Sequence, residues 1–105
     1  MATSDQLLTL LSRHIGKGNG IGVKQIAQQL GIQERHARSL VSDLRDEGHA
    51  ICGTPKAGYY IAANPEELEE TCTFLRDRAL HSLRLESRLR RIPLPDLLGQ
   101  LHVPT

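Results

Sequence analysis

The chain has 105 residues, a hydrophobic fraction of 39% and a formal net charge of +1 at pH 7. This length and apolar content are typical of one compact domain with an appendage, and they exclude wholesale disorder. Aromatic residues make up only 3% of the chain, which argues against a single-strand binder that stacks bases on aromatic side chains. The near-neutral net charge leaves nucleic-acid binding open, because phosphate contacts need only a local basic patch.

Neither a membrane segment nor an export signal is visible in the sequence. The apolar runs are far shorter than the roughly 20 residues that span a bilayer, and the leucines of residues 1–11 alternate with polar residues instead of forming a signal-peptide core. Cys52 and Cys72 show no disulfide framework, so we interpret them as reduced thiols. We therefore expect a cytoplasmic protein without a membrane partner.

The N-terminal part of the chain contains two short segments with helical periodicity. Ser4 is predicted to cap the first helix, whose apolar stripe begins at Leu7 and continues to Ile15. The glycine-rich stretch 16–22 ends this helix and is interpreted as a flexible connector, since it lacks the ending of a phosphate-binding loop. A second short helix follows, and Gly31 is predicted to end it in a left-handed conformation.

A longer helix and a hairpin are predicted next. After a turn at Ile32 the apolar residues recur at helical spacing until Gly48 ends the segment. The predicted buried face consists of Ala37, Leu40, Val41 and Leu44. Two short runs of β-forming residues, 50–52 and 59–62, flank a loop that contains glycine and proline, and this arrangement predicts a β-hairpin.

The C-terminal part is predicted to form one long helix. Asn64 has the residue type and position of a helix cap, and the helix is expected to run to about Arg91. Pro93 and Pro95 are expected to stop it. The remaining tail has room for one further apolar turn around Leu97.

The second and third helices together form a more specific pattern. Ala27 is small enough for a close helix crossing, and Gly31 allows a sharp turn between the two helices. This packing leaves one face of the third helix outward, where Arg35, Arg38 and Ser42 share a stripe because they are spaced by three and four. In a helix-turn-helix the start of the second helix enters the major groove, where Arg pairs with guanine and Gln with adenine.

Residues 44–51 (LRDEGHAI) and 58–61 (GYYI) resemble the winged helix-turn-helix family. In that family the recognition helix ends in a leucine-polar-polar-glycine sequence, and a hairpin wing that ends in Gly-Tyr follows at once. The resemblance covers about Ser4 to Ala62 and is closest to biotin-repressor-like domains of bacteria and phages. It implies a mostly α, α+β fold, with a short strand at 21–23 beside the wing.

The domain organisation follows from this resemblance. It comprises a winged helix-turn-helix domain at 1–63, a C-terminal helix at 64–92 for packing or dimerisation, and a proline-bounded tail at 93–105. The resemblance further implies binding of double-stranded DNA, most simply by a small transcriptional regulator of phage or prophage origin. Together with Ser42 from the helical stripe, the implied DNA-binding residues are Lys24, Gln33, Arg35, His36, Arg38, Ser39, Thr54 and Lys56.

Two features depart from the family pattern and keep alternatives open. Glu34 would face DNA phosphates near the front of the recognition helix, and the short wing carries one lysine and no arginine. The alternatives are a winged-helix adaptor for protein–protein interactions and an accessory of phage replication or assembly. We expect no enzyme, cofactor, metal site or small-molecule substrate, because the sequence shows neither paired metal-ligand spacing nor a nucleophile with its base.

The long C-terminal helix leaves two further questions open. Its apolar stripe either packs on the winged domain or forms a surface for a homodimer; this stripe consists of Leu68, Cys72, Leu75, Ala79 and Leu83. Arginines at the end of the helix either satisfy its last carbonyl groups, the alternative that we prefer, or extend a basic surface along DNA. These residues are Arg84, Arg88, Arg90 and Arg91.

Overall fold

The structure is a computed structural model that describes residues 3–101; residues 1–2 and the last four residues of the predicted tail lie outside this range. Its elements are α1 (Ser4–Leu11), a 3-10 turn (Lys17–Asn19), α2 (Val23–Leu30), α3 (Glu34–Asp46), β1 (Ile51–Thr54), β2 (Gly58–Ile61), α4 (Pro65–Arg90) and α5 (Leu94–Leu101). The predicted winged helix-turn-helix with a hairpin wing and a long C-terminal helix is confirmed. None of the helices in the described range is long and apolar enough to cross a membrane.

The chain divides into two compact units, one that ends at Thr71 and one that begins at Cys72. In the first unit, α1, α2 and α3 pack around one apolar core. The core residues are Leu7, Leu11, Ile21, Ile26, Ala37, Leu40, Val41, Leu44 and Ile51. The four residues predicted for the buried face of α3 are all among them, and Ile32 packs against this core from the turn.

Helix α1 differs from the prediction at both ends. Its cap is Thr3, not Ser4: Thr3 Oγ1 accepts a hydrogen bond from the backbone N–H of Gln6, and the Gln6 side chain accepts one from the backbone N–H of Thr3. The helix ends at Leu11, so the predicted continuation of its stripe to Ile15 is wrong. Ile15 is 49% exposed and forms a parallel bridge with the end of β2 instead.

The turn between α2 and α3 forms as predicted. Gly31 adopts φ 67° and ψ 38°, the left-handed conformation in which glycine ends helices without steric cost. Gly48, just after α3, also has a positive φ of 92°. Gly31 therefore provides the sharp turn between α2 and α3 that a helix-turn-helix requires.

The connector between α1 and α2 lies along the outer edge of the wing. Strands β1 and β2 pair antiparallel, and Ile21 adds a single bridge to Tyr59 with two backbone hydrogen bonds of 2.8 Å. The strand predicted at 21–23 is thus reduced to Ile21, because Val23 already belongs to α2. Gly16 donates its N–H to the carbonyl of Ile61 at 2.9 Å, so both ends of the connector are fixed to β2.

The second face of the hairpin is covered by the start of α4. Side chains alternate along a strand, and Cys52 and Tyr60, which pair across the hairpin, are both fully buried on the face opposite Ile51. The Cys52 thiol donates to the carbonyl of Glu67 at 3.6 Å, and Thr71 Oγ1 accepts from the N–H of Gly53 at 3.4 Å. The first two turns of α4 therefore belong to the winged unit.

Helix α4 begins in the winged unit, and the rest of it forms the second unit together with α5. The predicted cap of α4 is present, since Asn64 Oδ1 accepts from the N–H of Glu67 at 2.9 Å. The helix ends at Arg90, and Arg91 takes a left-handed φ of 58°. The single apolar turn predicted near Leu97 is a full helix of eight residues that includes Pro95 near its start, where the missing N–H costs no helical hydrogen bond.

Candidate nucleic-acid interface

Helix α3 places most of the predicted contacts on one exposed stripe. Arg35, Arg38, Ser39 and Ser42 are all exposed, whereas the apolar residues between them are buried in the core. This separation follows from the 3.6-residue period, because the apolar positions occupy the opposite side of the helix. His36 is half-buried at the margin of the stripe.

The start of α3 keeps free hydrogen-bonding groups. Gln33 occupies the N-cap position, but its side chain makes no capping hydrogen bond and is exposed. The first N–H groups of the helix and the Gln33 amide are therefore available to a ligand. Lys24 is exposed in the first turn of α2.

The carboxylate that departs from the family pattern has a partner in the helix. Glu34 Oε1 lies 3.9 Å from an Arg38 guanidinium nitrogen, one helical turn away. An exposed i,i+4 pair of this kind contributes only about 0.3–0.5 kcal/mol, so Arg38 can leave it at little cost. The pair also offsets the negative charge that Glu34 would otherwise present to a phosphate.

The wing contributes one cation and one structural hydroxyl. Lys56 is exposed in the turn between the strands. Thr54, which was predicted as a contact, is half-buried, and its Oγ1 accepts a hydrogen bond from the N–H of Ala57 at 3.1 Å. Thr54 therefore shapes the turn that presents Lys56.

One cation near the wing was not among the predicted contacts. Lys17, in the connector, lines a shallow groove together with Thr54, Lys56, Ala57 and Glu70. Its ammonium group forms an ion pair with Glu70, and this hydrogen bond and charge raise the pKa of Lys17. No spacing rule could have found this group, because Lys17 and Glu70 are 53 residues apart in the chain.

Glu67 anchors α4 to the connector. Its two carboxylate oxygens accept hydrogen bonds from the backbone N–H groups of Ala63 at 2.9 Å and Lys17 at 3.0 Å. The bond from Ala63, followed by the one from Lys17, lowers the pKa of Glu67 below its ordinary value of 4.5. The ionised carboxylate thus holds the connector against the first turn of α4.

This lowered pKa predicts an acid-dependent loss of stability. The contribution of Glu67 is fully present above its ordinary pKa and is lost as the pH falls through the folded-state pKa. We expect Glu67→Gln to flatten the decline in the free energy of unfolding between about pH 5 and pH 3, measured by urea unfolding. Glu69→Gln is the control, since Glu69 makes no side-chain hydrogen bond or ion pair within residues 3–101; an equal flattening by both variants would contradict this role.

Within residues 3–101, no three or more His, Cys, Asp or Glu side chains gather where they could hold a metal ion.

Comparison with known proteins gives a family similarity for the N-terminal part of the chain. No curated protein and no solved structure matches the chain. Residues 1–51 match the family model described as replication protein A C terminal. This similarity spans the three helices of the helix-turn-helix core and stops at the first residue of β1. It gives no support for the narrower resemblance to biotin-repressor-like domains.

Proposed function

We propose that this chain binds double-stranded DNA through the N-terminal half of α3, with additional contacts from α2 and the wing. One observation carries the proposal. Glu34 is the only carboxylate between Gly16 and Ser42, and it is paired with Arg38, whereas Lys24 and Arg35 of this segment form no ion pair among the described residues. The acidic residues of the winged unit are concentrated outside this segment, in 43–47 and 66–70.

Each residue has a defined part in this proposal. Arg35, at the front of the exposed stripe, contacts base edges in the major groove, and Gln33 pairs with adenine or binds a phosphate beside the helix N-terminus. Arg38 either contacts a guanine or positions the helix against the backbone. Lys24 and Lys56 contact phosphates, which fix register and orientation without sequence information.

We further propose that this binding serves DNA replication. The similarity to the replication protein A C-terminal family supports a replication role, whereas the transcriptional role and the phage origin expected from the sequence have no comparable support. Self-association remains part of the proposal, since Leu75 on α4 is 40% exposed and lies on the apolar stripe. Two recognition helices in a dimer would contact two half-sites, so a palindrome selected from random duplexes would support it.

The double substitution Arg35→Ala with Arg38→Ala tests the recognition helix. If each arginine contacts a base, each loss costs about 1–3 kcal/mol of binding free energy. The measurement is fluorescence anisotropy on a duplex selected from a random pool, at fixed salt. Arg13→Ala with Arg76→Ala is the charge-matched control, because both residues lie outside α2, α3 and the wing. Unchanged affinity in the first double variant would rule out this site.

A protein–protein adaptor is the second candidate function. It is favoured by the carboxylates of residues 43–47 and 66–70, which leave the winged unit with more acidic than basic residues. Such a surface fits a basic peptide. This candidate predicts that selection from random duplexes enriches no sequence and that the Arg35 and Arg38 variant leaves duplex affinity unchanged.

A further inference from the structure

The second compact unit carries a surplus of arginine. Its basic residues outnumber its acidic residues, which is the reverse of the winged unit. The arginines are Arg76, Arg78, Arg84, Arg88, Arg90 and Arg91, and the carboxylates in this unit are Asp77, Glu86 and Asp96. The winged unit is therefore net negative, and the net positive charge of the chain lies in the second unit.

Part of this charge forms one continuous face of α4. His81, Arg84 and Arg88 are spaced by three and four residues, so they share one side of the helix, and all three are exposed. We call these three residues the arginine face. The carboxylate on the same side is Asp77, one turn before His81. Glu86 lies elsewhere around the helix and is already paired with Arg90 at 2.6 Å.

The end of α4 is closed by backbone hydrogen bonds and not by the side chains of these arginines. The backbone N–H of Ile92 donates to the carbonyl of Ser87 at 3.1 Å, and the N–H of Arg91 donates to Arg88 at 3.3 Å. These bonds, with Arg91 in the left-handed conformation, close the helix through the backbone. Within residues 3–101, Arg84 and Arg88 make neither an ion pair nor a side-chain hydrogen bond. The alternative preferred from the sequence is therefore wrong for these two residues.

The helix dipole gives only a partial explanation of the pattern. Its effect falls off within the last turn, so it accounts for Arg88 and Arg90 but not for Arg84. The three side chains of the arginine face are polar, and Leu85, which is 45% exposed, borders them four residues after His81. One bordering leucine is less than the apolar anchors of a typical protein interface and far less than the large apolar face of a helix that lies on a membrane.

We propose that the arginine face binds the phosphate backbone of duplex nucleic acid, at a second site that is separate from the recognition helix. Guanidinium groups bind phosphate through two parallel N–H donors, which lysine cannot do. Four residues of helix rise about 6 Å, close to the roughly 7 Å by which two nucleotide steps advance along the duplex axis. Arg84 and Arg88 can therefore contact phosphates of one strand, and the site is independent of base sequence.

The test compares two charge-matched double variants of the full chain. Arg84→Gln with Arg88→Gln removes the arginine face, and Arg76→Gln with Arg90→Gln removes two arginines of the same helix that lie off that face. The probe is a fluorescein-labelled duplex of mixed sequence, titrated by anisotropy over a series of salt concentrations. We expect the plot of log affinity against log salt to become less steep by about two in the first variant, since each phosphate contact contributes about 0.9, and to keep its slope in the second.

Several results would overturn this proposal. Equal changes in both double variants would show a general effect of charge, and no change in either would show that the arginine face does not touch DNA. Loss of binding to anionic phospholipid vesicles, with duplex binding intact, would assign the face to a membrane. Circular dichroism melting curves check that each variant keeps the fold.

The recognition helix and the arginine face can fail separately. The Arg84 and Arg88 substitutions are repeated in the Arg35→Ala, Arg38→Ala background, where the slope is again expected to fall by about two. If only the arginine-face substitutions weaken binding, the second site stands and the recognition helix is excluded. If only the α3 substitutions weaken binding, the arginine face is excluded.

Discussion

Tyr60→Ala is expected to lower the free energy of unfolding by about 3–5 kcal/mol, the range for removing a large buried aromatic side chain. Tyr60 is fully buried in the small apolar layer between the hairpin and the first turns of α4. Alanine would leave a cavity beside Cys52 and Thr71, both of which are themselves buried. Urea unfolding followed by circular dichroism measures the change.

Tyr60→Phe is the matched variant and has the opposite expectation. The phenol oxygen of Tyr60 is buried and has no partner at hydrogen-bond geometry among the described residues. Burial raises the pKa of this phenol, and the nearby Thr71 hydroxyl lowers it by less. A buried hydroxyl without a partner loses its hydration and gains nothing in return. We therefore expect Tyr60→Phe to raise the free energy of unfolding by about 1 kcal/mol. A loss of similar size would show that the hydroxyl forms a stabilising bond.

Gly20→Ala is expected to destabilise the winged unit by about 3 kcal/mol or more, at the upper end of the cost of overpacking. A Cβ atom at residue 20 would lie 1.9 Å from the carbonyl oxygen of Ala57 in the wing. The obstacle is backbone, so no side-chain rotation relieves it. The connector would have to leave the wing, and the adjacent Ile21–Tyr59 bridge would break.

Gly18→Ala is the control for this effect. It lies in the same glycine-rich connector, but a Cβ there would meet no atom within 4 Å. The change at Gly18 should stay within about 0.5 kcal/mol, as for most surface substitutions. Similar costs at both positions would mean that backbone entropy, and not contact with the wing, explains the glycine at position 20.

The sequence predicted the parts of the fold that depend on local periodicity and capping. Gly31 ends α2 and Asn64 caps the start of α4, both as predicted. The buried face of α3 contains the four apolar residues that its spacing indicated. The apolar spacing wrongly places Ile15 in α1, because the periodicity continues past the last helical residue, Leu11. Only the distant strand β2 explains the position of Ile15.

The arrangement around the wing could not be predicted from local patterns. Lys17 and Glu67 meet across 50 residues of chain, and the hydrogen bond from Gly53 to Thr71 depends on how α4 packs on the hairpin. Periodicity fixes which side of an element is apolar, but not which element covers it. The exposed stripe of α3 is predictable because periodicity alone defines it. The contacts around the wing are not predictable in this way because they depend on tertiary packing.

Most of the outward backbone groups along the two edges of the sheet are already hydrogen-bonded. The outward N–H and C=O groups of Tyr59 are taken by Ile21 on the β2 side. On the β1 side, Arg45 Nε donates to the carbonyl of Ile51 at 2.9 Å, and Thr71 accepts from Gly53. An unpaired strand edge recruits extended chains, whether from a partner peptide or from an aggregating copy. This wing therefore offers little free strand edge to an incoming extended chain.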